Sequence, residues 1–529
     1  MALLSIEDFG RLFTLAKTER SGVQSTLESC YRYVLPLHER RQPESTGGTD
    51  QPADVDELYD ASGASAAQDL ASEMLEDLWP SDGRPFTISA PRYAKIDGPM
   101  RERVKVALEN RADVLIEEIN ASGGCGGGGW YQAAHSGLLD WTIAQGFISR
   151  HSGDAATSMR WTHMPLVQTY SLRGPYGATD TVFHVSMRRR REIMDTWPGS
   201  IPGSGDPNQK IEVRQGFFRD WDADGKEVWN TQVWCSAKQD GFIHQVTQSG
   251  IGSRPFVDFG YVRAGGETLC RGPVQIALPH LQVQNTFVAN QLDMMDMALW
   301  GVWGVESDSI NLENIKISPR SVITYEQGTK GIQRLDGGVN LQQADRFSMA
   351  QQANIRELIY GLDLGPTGTT PMSATEVMER KSRSGKRRAG PHSRLLNELL
   401  VQTALATNWQ LENAGLLAPL EVQGVGRIEI GGPFARVRPL SPLTKLQMMD
   451  DVLRWSRFME VLGGHLGAEV AAAATSIETV VPWLAERIGV PQSVHRTEDD
   501  LKKFQAVIAQ RLQQSQASPA AGGPVAKAA

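Results

Sequence analysis

The sequence is poor in cysteine, with four in 529 residues, and no two of them form a CxxC pair. They are Cys30, Cys125, Cys235 and Cys270. This scatter supports neither a zinc ribbon nor a disulfide framework, because both need regularly spaced cysteines. We therefore expect the four thiols to be reduced and mostly buried.

The sequence also lacks a long apolar run. A membrane helix needs about 18 or more apolar residues, whereas the best candidate, Val461–Thr475, is shorter and contains His465 and Glu469. Near the N-terminus, Glu7 and Asp8 come directly after the first apolar residues, which is not the basic-then-apolar order of a signal peptide. We expect a protein that stays in a cytoplasm-like compartment and has no membrane partner.

No strong charge of one sign is present. The chain has 53 basic and 61 acidic side chains, a net charge of −8, with 40% hydrophobic and 22% charged residues. This mild acidity argues against a protein that wraps nucleic acid through its overall charge. The composition is that of an ordinary globular protein with real cores, and the length allows several domains.

Motifs typical of enzymes are missing as well. The sequence contains no HExxH, GxSxG or GxxxxGK(S/T) pattern and no GxGxxG after a predicted strand. The glycine run Gly123–Gly129 lacks the Lys-Ser/Thr pair of a phosphate loop, and we interpret it as a hinge before a helix at Trp130–Gln145. The ten histidines have no metal-ligand spacing. We predict no catalytic residue, cofactor or metal site; acid–base partners far apart in the chain stay open as an alternative.

Hydrophobic periodicity divides the first half of the chain into a helical and a strand-rich part. Apolar residues at steps of three, four and seven predict helices at Ile6–Leu35, from about Ser62 to Leu78 and at Pro99–Asn120, with a surface loop at 41–57. From about Arg160 to Arg263, short apolar and aromatic runs are separated by Gly, Pro and Asp clusters. This texture predicts a β-rich subdomain.

The second half is mostly helical by the same criterion. Two long helices are predicted at Pro273–Trp300 and Leu341–Leu362, with the β-like piece Ser321–Tyr325 between them. After a breaker segment, Ser373-Ala374-Thr375-Glu376 has the pattern of a capping box that begins another long helix, and Gly390-Pro391 is expected to kink it. Further helices are expected around Leu443–Leu462, Ser476–Ile488 and Thr497–Gln513, before a disordered tail from about Gln514.

Two basic runs are candidates for contact with phosphate or with acidic partners. Arg188–Arg191 precedes Ile193 and Met194, and we favour a solvated helix face over a nucleic-acid contact there. A second set crowds the first turns of the helix that begins at Ser373. Its members are Arg380, Lys381, Arg383, Lys386, Arg387 and Arg388.

Several short motifs occur in an order and spacing that suggest one family. The most recognisable is Met372-Ser373-Ala374-Thr375-Glu376-Val377 with Arg380. The others are Tyr59–Ser72, Leu78-Trp79-Pro80, Cys270–Pro273 with Ala277–Pro279 and Asn285, Gly432–Arg436 and Pro491–Asp500. With the order of helical and β-rich segments, they resemble the portal, or head-to-tail connector, proteins of short-tailed, podovirus-like tailed bacteriophages. The resemblance covers roughly Phe9 to Gln510; the glycine run departs from it, and the short C-terminus argues against an extended helical barrel.

The resemblance implies a fold. It is an α+β, predominantly α phage portal fold with wing, stem, clip and crown regions, assembled as a ring. The implied regions are a wing at 1–273 with a β-rich insert at about 160–263, stem helices at 274–300 and 341–363, a clip at 301–340, a tunnel loop at 364–372, a long helix and return to the wing at 373–440, crown helices at 441–513 and a disordered tail at 514–529.

The resemblance also implies a function. Portals form rings, typically of twelve copies, at one capsid vertex, and double-stranded DNA is packaged and ejected through them. The implied partners are further copies of the chain, the DNA, terminase during packaging, tail adaptor proteins, and the major capsid and scaffolding proteins. The implied location is the portal vertex of the virion, after assembly in the bacterial host cytoplasm. The alternatives are a virion-associated DNA-processing enzyme, which no motif supports, and another capsid-assembly protein, against which the β-rich part argues.

The resemblance assigns a tunnel loop to Gly365, Pro366, Thr367, Gly368, Thr369 and Thr370. Its composition favours a loop that projects into the channel, where uncharged threonine hydroxyls would let DNA slide. The basic run at 380–388 has two interpretations, a lumenal ring that binds phosphate or a solvated face that bridges to acidic groups of a neighbouring subunit. We favour the bridge, because tight lumenal binding would impede transport.

Reversing the charge of Arg387 and Arg388 to glutamate separates these interpretations. If the run bridges subunits, the doubly substituted protein is expected to form fewer closed rings than the wild type, which native mass spectrometry measures. Intact rings that package DNA poorly would contradict the bridge and support the lumenal interpretation.

Overall fold

The computed structural model describes most of the first 440 residues and part of the C-terminus. The described residues are 3–35, 58–300, 302–304, 333–335, 341–361, 390–440, 442–466, 480 and 483–484, apart from short gaps at 81–82, 92, 95–97, 123–127, 154–156, 176, 202–204, 223, 423 and 425. Met1–Ser441 forms one compact unit and Pro442–Ala529 a second. The predicted loop 41–57, the piece Ser321–Tyr325, the capping box at Ser373 and the C-terminal tail lie outside the described residues.

Four helices in the first 143 residues agree with the predicted ones to within a few residues. They are α1 (Ile6–Val34), α2 (Ser62–Leu78), α3 (Gly98–Ala121) and α4 (Trp130–Ile143). At the start of α1 the Ser5 hydroxyl accepts the Asp8 N–H at 3.2 Å. Glu7 and Asp8 also lie in the first turn, where negative charge interacts favourably with the helix dipole.

The strand-rich part begins at Gln145, earlier than the expected residue 160, because β2 follows α4 almost directly. Its strands are β2 (Gln145–Ser152), β3 (Met159–His163), β4 (Thr169–Arg173), β5 (Thr179–Arg189), β6 (Lys210–Trp221), β7 (Glu227–Cys235), β8 (His244–Ser249) and β9 (Phe256–Gly260), with a short helix α5 (Arg190–Thr196) after β5. The strands β4 to β8 form an antiparallel sheet in chain order, and β3, β2 and β9 form a second sheet in the order β3-β2-β9. An earlier strand, β1 (Phe86–Ser89), lies outside both sheets.

The long helices of the second half are present as predicted. They are α6 (Pro273–Trp300) and α7 (Leu341–Tyr360), with the short strands β10 (Val302–Gly304) and β11 (Gln333–Leu335) between them. The chain continues through a helical turn at 390–395, a π-helical segment Leu396–Val401, α8 (Gln402–Asn413), and the strands β12 (Glu421–Val422), β13 (Gly426–Arg427) and β14 (Arg436–Pro439). In the second unit the described residues form α9 (Pro442–Leu466).

The kink expected at Gly390-Pro391 falls where the described residues resume, so the segment before it lies outside them. A separate irregularity occupies Leu396–Val401, where the helix is π-helical. Here Glu398 accepts the Gly260 N–H at 3.0 Å, so the π-helical segment is bonded to the end of β9.

Aromatic packing holds α1 on the five-stranded sheet. Phe9 stacks edge-on against Phe183 and Phe218, with ring centroids 5.2 and 5.7 Å apart, and Phe13 does the same against Phe183 at 5.4 Å. Edge-to-face pairs add to the energy of burying these rings. Gly216 lies beneath Phe9, where a Cβ would collide with the ring.

Buried arginines bond segments that are distant in sequence. Arg150 on β2 is 6% exposed and donates to the carbonyls of Gly252 and Ala406 at 3.0 and 2.7 Å, while its guanidinium lies 4.4 Å from the Trp409 ring. Burial lowers the pKa of Arg150 to about 9. Because the charge is satisfied by fixed carbonyls and a ring face, it orients β2 against α8.

A buried carboxylate bonds α4 to α1 and β3. Asp140 accepts hydrogen bonds from the Tyr31 hydroxyl at 2.6 Å, the His163 ring at 2.9 Å and the Leu166 N–H at 2.8 Å. Burial alone would raise the pKa of Asp140, but His163 and these donors hold it below its usual range. His163 therefore has a packing role, as its isolated position in the sequence favours.

The predicted burial of cysteine is confirmed for three of the four. Cys30, Cys235 and Cys270 are buried and free, and Cys125 lies outside the described residues. The described helices include none with an apolar stretch long enough to cross a bilayer.

His184 on β5 makes the stability of this unit depend on pH. Its side chain is 7% exposed, and burial together with the nearby Arg188 cation lowers its pKa to about 3. The same group in an unfolded chain has a pKa of about 6.5. Between these values the unfolded chain binds a proton that the folded chain excludes. The free energy of unfolding therefore falls as the pH drops below about 6.5, by up to about 1.4 kcal/mol per pH unit.

Replacing His184 by leucine removes the group that binds this proton when the chain unfolds. We expect His184→Leu to lose less stability than the wild type between about pH 6 and about pH 4, because one fewer group protonates on unfolding. Urea denaturation at several pH values measures the difference in slope. An identical pH dependence in the two proteins would contradict a neutral, buried His184.

Candidate functional site

The residues selected from the sequence as site candidates are not among the described ones. The tunnel loop Gly365–Thr370 and the basic residues from Arg380 to Arg388 lie outside them. Within the described part of the chain, no three His, Cys, Asp or Glu side chains are placed to hold a metal ion. The feature that stands out is instead a surface, on the hairpin formed by α6 and α7.

Polar side chains set the register of this hairpin. The His280 and Gln351 side chains lie 3.3 Å apart, and Gln284 donates to the Ser348 hydroxyl at 2.8 Å. The two helices are therefore antiparallel. Beyond them β10 pairs with β11 in an antiparallel ladder from Val302 with Leu335 to Gly304 with Gln333, which closes the far end.

Only the base of the hairpin is buried. The fully buried apolar side chains are Val274, Ala277, Leu281, Ile355 and Ile359, all between 0% and 3% exposed. Farther out, none of the described side chains from residue 285 of α6 or before residue 355 of α7 is buried. The hairpin is therefore anchored in the core at one end and leaves both flanks of its outer part to solvent.

One flank carries a row of apolar side chains on each helix, and we call it the apolar flank. On α6 its members follow one another at steps of seven, four and seven residues, and on α7 they are eleven residues apart, so each set lies on one helix face. The two faces meet because the rings of Phe287 and Phe347 are 4.8 Å apart. The members are Ile276 (59% exposed), Val283 (51%), Phe287, Met294 (38%), Phe347 (44%) and Leu358 (38%).

The opposite flank of the hairpin has more polar side chains and is partly covered by the residues before α2. Here Asn285 accepts the Tyr59 N–H at 2.8 Å, and Gln352 donates to Asp60 at 3.1 Å, so the residues before α2 pack on this flank. The same flank carries the exposed side chains of Leu292, Met349 and Arg356. The two flanks are therefore chemically distinct.

Sequence periodicity located the hairpin but not this flank. Periodicity puts Ile355, Leu358, Ile359 and Leu362 on one side of this helix. The structure buries Ile355 and Ile359 but exposes Leu358. The missed signal is the second apolar stripe of α6, which is offset from the buried one. A stripe that one chain cannot cover has the same periodicity as a core stripe.

The other basic run is not a helix face. Arg188 and Arg189 end β5, and only Arg190 and Arg191 are helical, in α5. The Arg188 guanidinium lies 5.4 Å from the Trp197 ring. The expectation of a solvated helix face is therefore wrong for the first two arginines, because the run crosses the boundary between a strand and a helix.

Residues 8–495 of the chain match the sequence model of the bacteriophage head to tail connecting protein family. The chain belongs to this family. It is a head-to-tail connector, or portal, protein of a bacteriophage virion. The match extends over both compact units and includes the whole α6–α7 hairpin.

Three of the solved structures that the chain matches come from gene transfer agent (GTA) particles. A chain of the virion of the native GTA particle has 11% identity and a TM-score of 0.42, over 88% of this chain and 93% of that chain. A chain from the neck of the empty particle, computed with C6 symmetry, has 12% identity and a TM-score of 0.37, over 83% of this chain and 92% of that chain. A chain from the neck of the native particle, computed with C12 symmetry, has 11% identity and a TM-score of 0.39, again over 83% of this chain and 92% of that chain. A comparison with curated proteins finds no match.

The two neighbouring residues Ile355 and Leu358 test which face of α7 holds the hairpin in place. Ile355→Ala is expected to lower the free energy of unfolding of the subunit by about 2 to 4 kcal/mol, because it leaves a cavity in the core. Leu358→Ala, on the exposed face, is expected to change it by less than about 1 kcal/mol. Urea denaturation of the unassembled subunit measures both values. Equal losses would contradict the burial of one face only.

Proposed function

We propose that this connector assembles into a closed ring, typically of twelve copies, in which the α6–α7 hairpins stand side by side. The observation that carries the proposal is the apolar flank. A contiguous apolar surface on a folded subunit marks an interaction site, since monomeric proteins rarely leave one uncovered. Here it lies on an element that is anchored at one end only.

The difference between the two flanks supports a ring rather than a dimer. A twofold dimer pairs a surface with itself, whereas a ring pairs one surface with a different one. If the apolar flank of each copy packs against the opposite flank of the next, Val283 and Phe347 meet the exposed Leu292 and Met349. Repetition of that contact around an axis closes a ring.

In this proposal the ring is the channel for double-stranded DNA during packaging and ejection. The α6–α7 hairpin is the stem, β10 and β11 belong to the clip that docks terminase and then tail adaptor proteins, and the sheets belong to the wing. The net charge of −8 per chain suits a conduit that must not retain phosphate. The tunnel loop Gly365–Thr370 contacts the moving DNA, and the basic run 380–388 bridges subunits. The capsid vertex is the implied location, and no enzymatic activity is proposed.

A charge placed on the apolar flank tests the ring. Val283→Asp is expected to yield monomers or small oligomers in place of rings of about 700 kDa, because it buries an unpaired carboxylate in each contact. The matched control is Val106→Asp on α3, since Val106 is 50% exposed and Val283 is 51% exposed. Native mass spectrometry and electron microscopy of the purified proteins measure the outcome.

The control is expected to form rings like those of the wild type. Rings of unchanged mass and stability with Val283→Asp would contradict the proposed contact. A wild-type protein that never closes into rings, alone or with its capsid and scaffolding proteins, would overturn the ring itself.

A further inference from the structure

A groove opens beside the base of the apolar flank. It lies between α1 and the segment that leads into α6, and encloses about 500 Å³. On the α1 side it is lined by Glu19, Val23 and Thr26, and on the α6 side by Gln275 and Ile276. We call it the α1–α6 groove. Because Ile276 also begins the apolar flank, the groove and the flank form one continuous surface.

Two carboxylates line this groove, and Glu19 is the one that makes no ion pair with a described residue. Of the groove's two arginines, Arg20 is buried and donates to the carbonyls of Leu166 and Thr169 at 2.6 Å each, and Arg271 pairs with Glu267. Glu19 accepts a hydrogen bond from the Thr268 hydroxyl at 3.2 Å and makes no ion pair with any described residue. The groove therefore presents an exposed negative charge between the apolar side chains of Val23 and Ile276.

A matching cation lies on the opposite flank. Arg356 on α7 is exposed and makes no ion pair with any described residue. It is four residues from Gln352, whose bond to Asp60 places it on the flank away from the groove. Both charges are thus available to another molecule, on opposite sides of the hairpin.

The register of the hairpin puts these two charges at the same height. His280 is level with Gln351, and Gln284 with Ser348. Continuing this antiparallel register one turn toward the base brings Arg356 level with Gln275 and Ile276. If the hairpins stand along the ring axis, rotation about that axis keeps these heights, and Arg356 of one copy is then level with the groove of the next.

We infer that the second copy of this chain is the partner of the α1–α6 groove, and that Arg356 of each copy pairs there with Glu19 of its neighbour. This inference rests on the proposed ring. The aliphatic stem of the arginine packs on Val23 and Ile276, while the guanidinium reaches the carboxylate, as long basic side chains do at interfaces. Such a pair specifies which flank meets which and thereby sets the direction of the ring, more than it adds to affinity.

A charge exchange tests the pair directly. Arg356→Glu and Glu19→Arg are each expected to raise the concentration needed for ring assembly by about tenfold or more, because each juxtaposes like charges. The double variant that carries both changes restores the opposite pair and is expected to recover most of the loss. Native mass spectrometry over a dilution series measures assembly, and circular dichroism confirms that each subunit is folded.

The matched control is Arg346→Glu. Arg346 lies on the same helix but ten residues nearer the tip, about 15 Å from Arg356 along the helix axis and so far from the height of Glu19 of the next copy. We expect a smaller effect from it, and none that Glu19→Arg corrects.

A second measurement does not depend on charge. The variant carries both Arg356→Cys and Ile276→Cys. In its ring, a short bis-maleimide is expected to join the cysteine at 356 of one copy to the cysteine at 276 of the next, which yields a ladder of multimers on a denaturing gel. If the wild type forms rings but the charge exchange recovers no assembly and the cysteine variant gives no ladder, the groove contact is overturned and the ring is not. Absence of rings in the wild type would overturn the proposed function itself.

Discussion

The α6–α7 hairpin has more apolar surface than the described part of the chain covers. Its base is fixed in the core through Leu281, Ile355 and Ile359, which are at most 3% exposed. In its outer part, polar side chains bond the two helices to each other and Phe287 contacts Phe347. We expect the apolar flank of such a hairpin to be buried against another molecule. Because the chain belongs to the connector family, we propose another copy of the chain as that partner.

Outside the hairpin, buried charged groups hold the first unit together. Long-range bonds from buried charged groups join elements that are far apart in sequence, such as Arg150 with Ala406 and Asp140 with Tyr31. Arg111 on α3 adds another by pairing with Glu412 and donating to Asn408 at 2.9 Å. These charges are satisfied inside one chain, which fixes α1, α3, α4, α8 and β2 relative to one another. Glu19 and Arg356, which make no ion pair with any described residue, are available to a neighbour.

Much of this architecture could be predicted from the sequence, and what could not has physical reasons. The periodicity of α1, α2, α6 and α7 located those helices, because burial of one face leaves a clear pattern. Pairing between distant segments left no such trace, as with β1 and β14, which pair across some 350 residues. The exposure of Leu358 was missed because an interface stripe and a core stripe look alike in sequence. The inferred pairing of Arg356 with the groove depends on the antiparallel register of α6 and α7, which only the structure shows.

The central claim, that the apolar flank is the contact between copies, is tested most directly by a reconstruction of the assembled protein by electron cryomicroscopy at side-chain resolution. The account predicts that Val283, Phe287 and Phe347 of each copy are buried against the α7 flank of the next, close to its Met349. A closed ring in which these side chains face solvent or the channel would contradict it.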